Sequence, residues 1–256
     1  RNEGGRFVDV SDRLPKVFSS DTVATSAVAF DADGDGDLDL SVAGFGRYRA
    51  PTSTKDCLGP CEVDVQQFDY GTTALLLQQA DGTFVDASAR LGKLAEPGLV
   101  LLATDLDEDG KVDLFVGNDF ASVPDRYFKG DGKGGFEEVG AKLGIAFAAS
   151  KSGISSMSAV DGDFDGDGHL DLAQSSEDSD RSALYRCQGA LAPCVEVGEA
   201  LELFKGMANY RWGQALVDLD HDGPPELLEA AGHIAHPTDV GIPFRTMDRV
   251  QLWHRG

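Results

Sequence analysis

A nine-residue acidic loop that occurs four times constrains this chain more than any other feature. Asp31-Ala-Asp-Gly-Asp-Gly-Asp-Leu-Asp39 places carboxylates at its first, third, fifth and ninth positions, with glycine at the sixth. Asp105-Leu-Asp-Glu-Asp-Gly-Lys-Val-Asp113 and Asp163-Phe-Asp-Gly-Asp-Gly-His-Leu-Asp171 repeat it in full, and Asp218-Leu-Asp-His-Asp-Gly-Pro-Pro-Glu226 carries glutamate at the ninth place. Oxygen ligands at alternate residues of a turning backbone converge on one hard cation. The glycine supplies the positive φ that lets the seventh carbonyl join them. This is the ligand spacing of a calcium loop, and four copies of it mean a repeat protein.

The flanks of the loops repeat as well. Apolar segments lead in, as in Thr25-Ser-Ala-Val-Ala-Phe30 and Leu99-Val-Leu-Leu-Ala-Thr104, and others lead out, as in Leu38-Asp-Leu-Ser-Val-Ala-Gly44 and Val112-Asp-Leu-Phe-Val-Gly117. A strand, a tight acidic loop and a second strand make a β-hairpin whose turn is a cation site. Upstream lies a third recurring segment, read at Phe7, Phe84, Phe136 and Cys194, which falls 24, 21, 27 and 24 residues before the first loop aspartate. A fourth lies at Ala74-Leu-Leu-Leu-Gln, Arg126-Tyr-Phe-Lys, Ala183-Leu-Tyr-Arg and Val250-Gln-Leu-Trp-His. Each unit therefore has about four short strands, the size of one propeller blade. The repeats run over 1–81, 82–134, 135–188 and 189–256. The first holds about 22 extra residues, placed between Gly44 and Gly71.

Helix-flanked calcium loops are excluded by the twelfth position, where a bidentate glutamate is required. It is Val42, Val116 and Gln174 in three loops and an acid only in the fourth, Glu229, and the segments leaving the loops favour strand. Successive loops start 74, 58 and 55 residues apart, which leaves room for a whole blade between them.

Gly-x-Phe-Val-Asp-Val/Ala-Ser followed by the Asp-x-Asp-x-Asp-Gly-x-x-Asp-Leu loop resembles the FG-GAP/VCBS repeats of integrin-α-type β-propellers. Trp212-Gly-Gln-Ala-Leu-Val-Asp-Leu-Asp-His-Asp-Gly with Ala231-Gly-His-Ile is similar to the cartilage acidic protein-like branch. The resemblance implies an all-β propeller of four-stranded blades, four of them in this chain, forming part of a larger ring. It also implies up to four Ca2+ ions. The first would be held by Asp31, Asp33, Asp35, the Asp37 carbonyl and Asp39, and the second by Asp105, Asp107, Asp109, the Lys111 carbonyl and Asp113. The third would be held by Asp163, Asp165, Asp167, the His169 carbonyl and Asp171, and the fourth by Asp218, Asp220, Asp222, the Pro224 carbonyl and Glu226. The rigid Pro224-Pro225 pair and the longer Glu226 make the fourth site the weakest. His169 and His221 are expected to face solvent, and Trp212 and Trp253 to pack in the core or between blades.

The net charge of -22 fits this reading, because the four loops hold 18 of the 44 acidic residues. Four divalent ions would offset eight charges and leave -14. The remainder argues against nucleic acid or an anionic membrane surface as partner, since both call for a basic patch. No apolar run reaches the roughly 18 to 20 residues of a membrane span. The start at Arg1-Asn-Glu-Gly-Gly does not read as a signal peptide, so the chain is expected to be a mature or trimmed product. The cysteines fall in two close pairs, Cys57 with Cys61 and Cys187 with Cys194. Local pairing into two disulfides suggests an extracellular or periplasmic location, against the alternative of four free thiols in the cytosol.

His233-Ile-Ala-His236 offers imidazoles at close spacing for copper or zinc, weighed against plain loop histidines without a third ligand. There is no Gly-x-Ser-x-Gly elbow, no His-Glu-x-x-His and no phosphate loop. Two function classes remain. The favoured one is a non-catalytic protein- or glycan-binding or adhesion module that uses the insertions 45–73 and 232–248. The alternative is the propeller subunit of a secreted polysaccharide-cleaving or metal-dependent redox enzyme.

Overall fold

The computed structural model describes residues 1–48, 68–92, 94–120, 122–147, 154–176, 182–201, 203, 210–223, 225–232 and 249–253. Within them the protein is all-β, built from antiparallel sheets that follow one another along the chain. A small exposed hairpin, β1 (Asn2–Glu3) and β2 (Arg6–Phe7), comes first. The first sheet has the order β3 (Thr22–Phe30), β4 (Asp39–Tyr48), β6 (Ala74–Gln78), β7 (Phe84–Asp86), with β5 (Phe68–Tyr70) added on β4. The second is β8 (Gly98–Thr104), β9 (Asp113–Asn118), β10 (Arg126–Gly130), β11 (Phe136–Glu138). The third is β12 (Ser156–Gly162), β13 (Asp171–Ser176), β14 (Ala183–Arg186), β15 (Val195–Glu196), and the fourth is β16 (Tyr210–Val217), β17 (Glu226–Gly232), β18 (Arg249–Trp253). Among the described residues helix is confined to single turns such as α1 (Gly140–Leu143) and the 3-10 turns at Ser11–Arg13 and Ser88–Leu91.

Each acidic loop is the turn between the first two strands of its sheet. The register confirms this: Phe30 faces Asp39, Thr104 faces Asp113, Gly162 faces Asp171 and Val217 faces Glu226. Towards the other end of the same hairpin, every sheet carries a register shift, at Val23 to Ser26, Gly98/Val100, Ser156/Ser158 and Arg211/Gly213. A bulge recurring at one place strengthens the local twist of each inner hairpin in the same way.

The sheets and the sequence repeats are out of phase by one strand. Phe84 opens the second repeat, yet its strand β7 pairs with β6 and closes the first sheet; β11 and β15 close the second and third likewise. The connections explain this. Gln79 N donates to Thr83 O across Asp81-Gly82, and Asp131 N to Gly135 O, and turns that short make their flanking strands neighbours. Among the described residues the fourth sheet has three strands, while β2, the first-repeat counterpart of β7, pairs with β1 and leaves Phe7 82% exposed.

Packing is face to face between consecutive sheets. Alternation along each second strand sends the residues one and three after the ninth loop acid toward the preceding sheet. Leu114 and Val116 pack with Phe30, Leu75 and Leu77; Leu172 packs with Phe115 and Tyr127; Leu227 packs with Ala173 and Leu184. The first strands β3, β8, β12 and β16 are neighbours in that order, so the sheets are arrayed side by side along these strands. The corresponding positions on the first sheet, Leu40 and Val42, are half-buried. On the far face of the fourth sheet Val250 is 71% exposed and Leu252 53%.

Two of these interfaces enclose an acid. Between the second and third sheets, Asp125 is fully buried, accepting from Asn118 N (2.7 Å), Ser156 Oγ (2.9 Å) and Gln174 Nε2 (2.9 Å). Between the third and fourth, Glu229 accepts from Ser182 Oγ (3.1 Å) and Gln214 Nε2 (2.9 Å), with buried Arg211 nearby. Asp125 and Ser182 both stand just before a third strand, so the two joints are the same design with the acid on opposite sides.

Candidate metal centres

The loop backbone is shaped by its own carboxylates. In every loop the first-position acid accepts the N–H of the sixth-position glycine, at 3.1 Å for Gly36, 2.9 Å for Gly110, 3.0 Å for Gly168 and 3.1 Å for Gly223. Those glycines have φ of 90, 81, 89 and 110°, as the spacing required. The fourth position is also left-handed, a feature the sequence reading did not single out. It is glycine in loops one and three but Glu108 (φ 58°) and His221 (φ 62°) in the others.

The ninth-position acid ties the loop to the sheet. Asp39, Asp171 and Glu226 each accept the backbone N–H of the second loop residue, from Ala32 (2.8 Å), Phe164 (3.1 Å) and Leu219 (2.8 Å). Loop two inserts a tyrosine into this bond: Leu106 N donates to Tyr127 Oη, which donates to Asp113 Oδ2 at 2.6 Å. On the other side the end of the third strand, or the residue just past it, donates: Gln78 N to Asp39 Oδ1, Gly130 N to Asp113 Oδ1 and Cys187 N to Asp171 Oδ1. A buried carboxylate thus fixes both the loop and the strand beside it.

These bonds bring the first, third and ninth acids of each loop together. Asp31, Asp33 and Asp39; Asp105, Asp107 and Asp113; Asp163, Asp165 and Asp171; and Asp218, Asp220 and Glu226 each place three carboxylate oxygens within 4.8 Å of one another. The fifth-position acids stand outside these trios. Asp35, Asp109 and Asp167 accept the N–H of the seventh residue instead, from Asp37 (2.9 Å), Lys111 (3.0 Å) and His169 (3.0 Å), and Asp222 likewise belongs to no trio. Pro224, the seventh residue of loop four, lies outside the described residues, as do Cys57, Cys61, His233 and His236.

The electrostatics suit a cation. Burial raises the carboxyls of Asp39, Asp113 and Asp171, the latter two to about 6, and neighbouring aspartates push the same way. A metal ion among them reverses that balance. Asp33 Oδ1 is buried without a hydrogen-bond partner among the described residues, as a ligand oxygen would be. The donor set, carboxylate oxygens throughout, is that of a hard divalent ion.

Residues 105–174 match the FG-GAP-like repeat. No curated protein matches the chain. The FG-GAP-like stretch runs from the first acid of loop two to just past the ninth of loop three, and its two loops touch. Glu108 Oε2 lies 2.9 Å from His169 Nδ1, and Glu108 Oε1 accepts Leu170 N at 3.1 Å. His169, expected to face solvent, is therefore half-exposed and bonded to the neighbouring loop, a contact between sheets that spacing along the chain does not reveal. Downstream of the FG-GAP-like stretch, His221 is exposed as expected. Trp212, expected in the core or between blades, is 46% exposed and so not in the core. It sits in the bulge of β16, and the buried place goes to Arg211.

The Cys187–Cys194 disulfide is formed, at the place where the second sheet pairs Gly130 with Phe136. It fits an oxidising compartment. Among the described residues no helix is long and apolar enough to cross a membrane.

Proposed function

We propose that this chain is a calcium-stabilised run of β-propeller blades that serves as a non-catalytic protein- or glycan-binding module in an extracellular or periplasmic setting. The observation that carries the reading is the convergence of first, third and ninth acids in the hairpin of each successive sheet. Sheets arrayed side by side along their first strands support a propeller reading, in which blades neighbour one another in this way. The trios would hold Ca2+, with the fifth carboxylate and seventh carbonyl available to complete the shell; the ion supplies charge neutralisation and rigidity. Glutamate in place of aspartate at position 226 makes the fourth site the weakest. The chain's motif around Trp212 supports the cartilage acidic protein-like branch.

The half-buried Leu40 and Val42 and the exposed Val250 and Leu252 favour further blades at both flanks, contributed by another chain or by additional repeats. Ligand contacts are then made by loops on the rigid scaffold, with 45–73 and 232–248 as the candidates.

The test is thermal unfolding with and without chelator. A site held at 100 times its Kd contributes about 2.7 kcal/mol, so removing calcium should lower the melting temperature by several degrees. Calcium should restore it and magnesium should not. A melting temperature indifferent to chelator refutes the reading.

A further inference from the structure

Lys129 and Arg186 occupy the same place in consecutive sheets. Phe128 pairs with Leu114 and Tyr185 with Leu172, so the next residue of each third strand, Lys129 in β10 and Arg186 in β14, reaches its own acidic loop. Lys129 Nζ contacts Asp107 Oδ2 and lies 2.6 Å from Asp109 Oδ2. Arg186 Nη2 contacts Asp165 Oδ2 and lies 3.5 Å from Asp167 Oδ2. Each thus gives a positive charge to the third and fifth acids of the loop.

In the first sheet, Leu40 pairs with Leu76, which makes Leu77 the equivalent residue, and it is buried in the apolar cluster between the first two sheets. Loop one has five acids, and among the described residues no basic side chain pairs with any of them. The buried Asp33 Oδ1 without a partner belongs to this loop.

We propose that Lys129 and Arg186 are internal counter-cations that set the metal affinity of loops two and three, leaving loop one the tightest of the three sites. The proposal rests on the calcium reading above. A fixed ammonium or guanidinium beside two prospective ligand acids repels an incoming cation and competes for their oxygens. In return it holds the metal-free loop together, so loops two and three keep their shape when calcium is scarce, whereas loop one depends on the ion.

The experiment compares the wild-type chain with Lys129→Met and Arg186→Met, using Lys142→Met as control. Lys142 is an exposed lysine of α1, and its loss changes the net charge equally. Calcium calorimetry should show one affinity class tightened at least tenfold in each of the first two variants and every class within twofold in the control. In chelator, Lys129→Met and Arg186→Met should melt below wild type, and calcium should abolish the difference. Calcium binding by the wild type with unchanged affinities in both variants overturns the counter-cation role alone. Equal tightening in the control shows a general charge effect and overturns it too. Absence of calcium binding in all four proteins overturns the metal reading and this inference together.

Discussion

Asp125→Asn should make the protein more stable at pH 7, by a margin that shrinks steadily as the pH falls toward 4. Asp125 lies in the joint between the second and third sheets, where burial pushes its carboxyl up to about 8, with the charge of Glu96 acting in the same direction. Its three hydrogen-bond donors oppose the shift without cancelling it. Arg126, beside it in sequence, is committed to Glu96 and Glu138, so it does not neutralise the acid. Because the folded value lies above the unfolded value of 3.8, the folded state binds the proton more tightly. Its contribution is complete below about pH 4 and is lost as pH rises through 8. The loss is about 1.4 kcal/mol per pH unit in that window, or roughly 3 kcal/mol between pH 5 and pH 7. Asparagine is the neutral isostere. Its amide can donate to Gln174 Oε1, which is buried without a partner among the described residues, once the glutamine amide turns over. Urea unfolding of both proteins at pH 5, 6, 7 and 8 in excess calcium gives the difference directly, and the pH dependence of the metal-site acids cancels between them. Parallel stability curves for the two proteins would refute a neutral Asp125.

Replacing Cys187 and Cys194 by serine opens a loop with a sequence separation of 7, and loop-closure entropy sets the loss at about 2 kcal/mol; unchanged urea midpoints would show that the surrounding packing alone fixes the segment. His221→Gly should raise stability by about 0.5 to 1 kcal/mol, because a non-glycine side chain there is held at φ 62° in an exposed turn. A lower melting temperature in chelator would show that His221 makes a stabilising contact.

The loops and the strands beside them were legible because both are local. Carboxylate spacing and the sixth-position glycine specify a turn within nine residues, and the apolar runs at 25–30 and 99–104 became the cores of β3 and β8. The nearby cysteines Cys187 and Cys194 were readable as a pair for the same reason. The phase of the sheets was written in the Asp81-Gly82 turn but was hidden by the choice of repeat boundary, since a motif starting at Phe84 reads as a beginning when it is an outer edge. Of the two places expected for Trp212, the core went to Arg211, because a single bulge residue exchanges the two faces of a strand.

By itself, the sequence determined an all-β chain with four acidic hairpin turns of one design, since hydrogen bonding within nine residues and alternation along a strand need no distant partner. Only the tertiary structure decided how those turns differ. Lys129 reaches Asp107 from 22 residues away and Leu77 stands in the same place beside loop one, while Glu108 joins His169 across 61 residues. Packing sheet against sheet brings such groups together and removes water from between them, so their charges interact in a medium that no stretch of sequence contains.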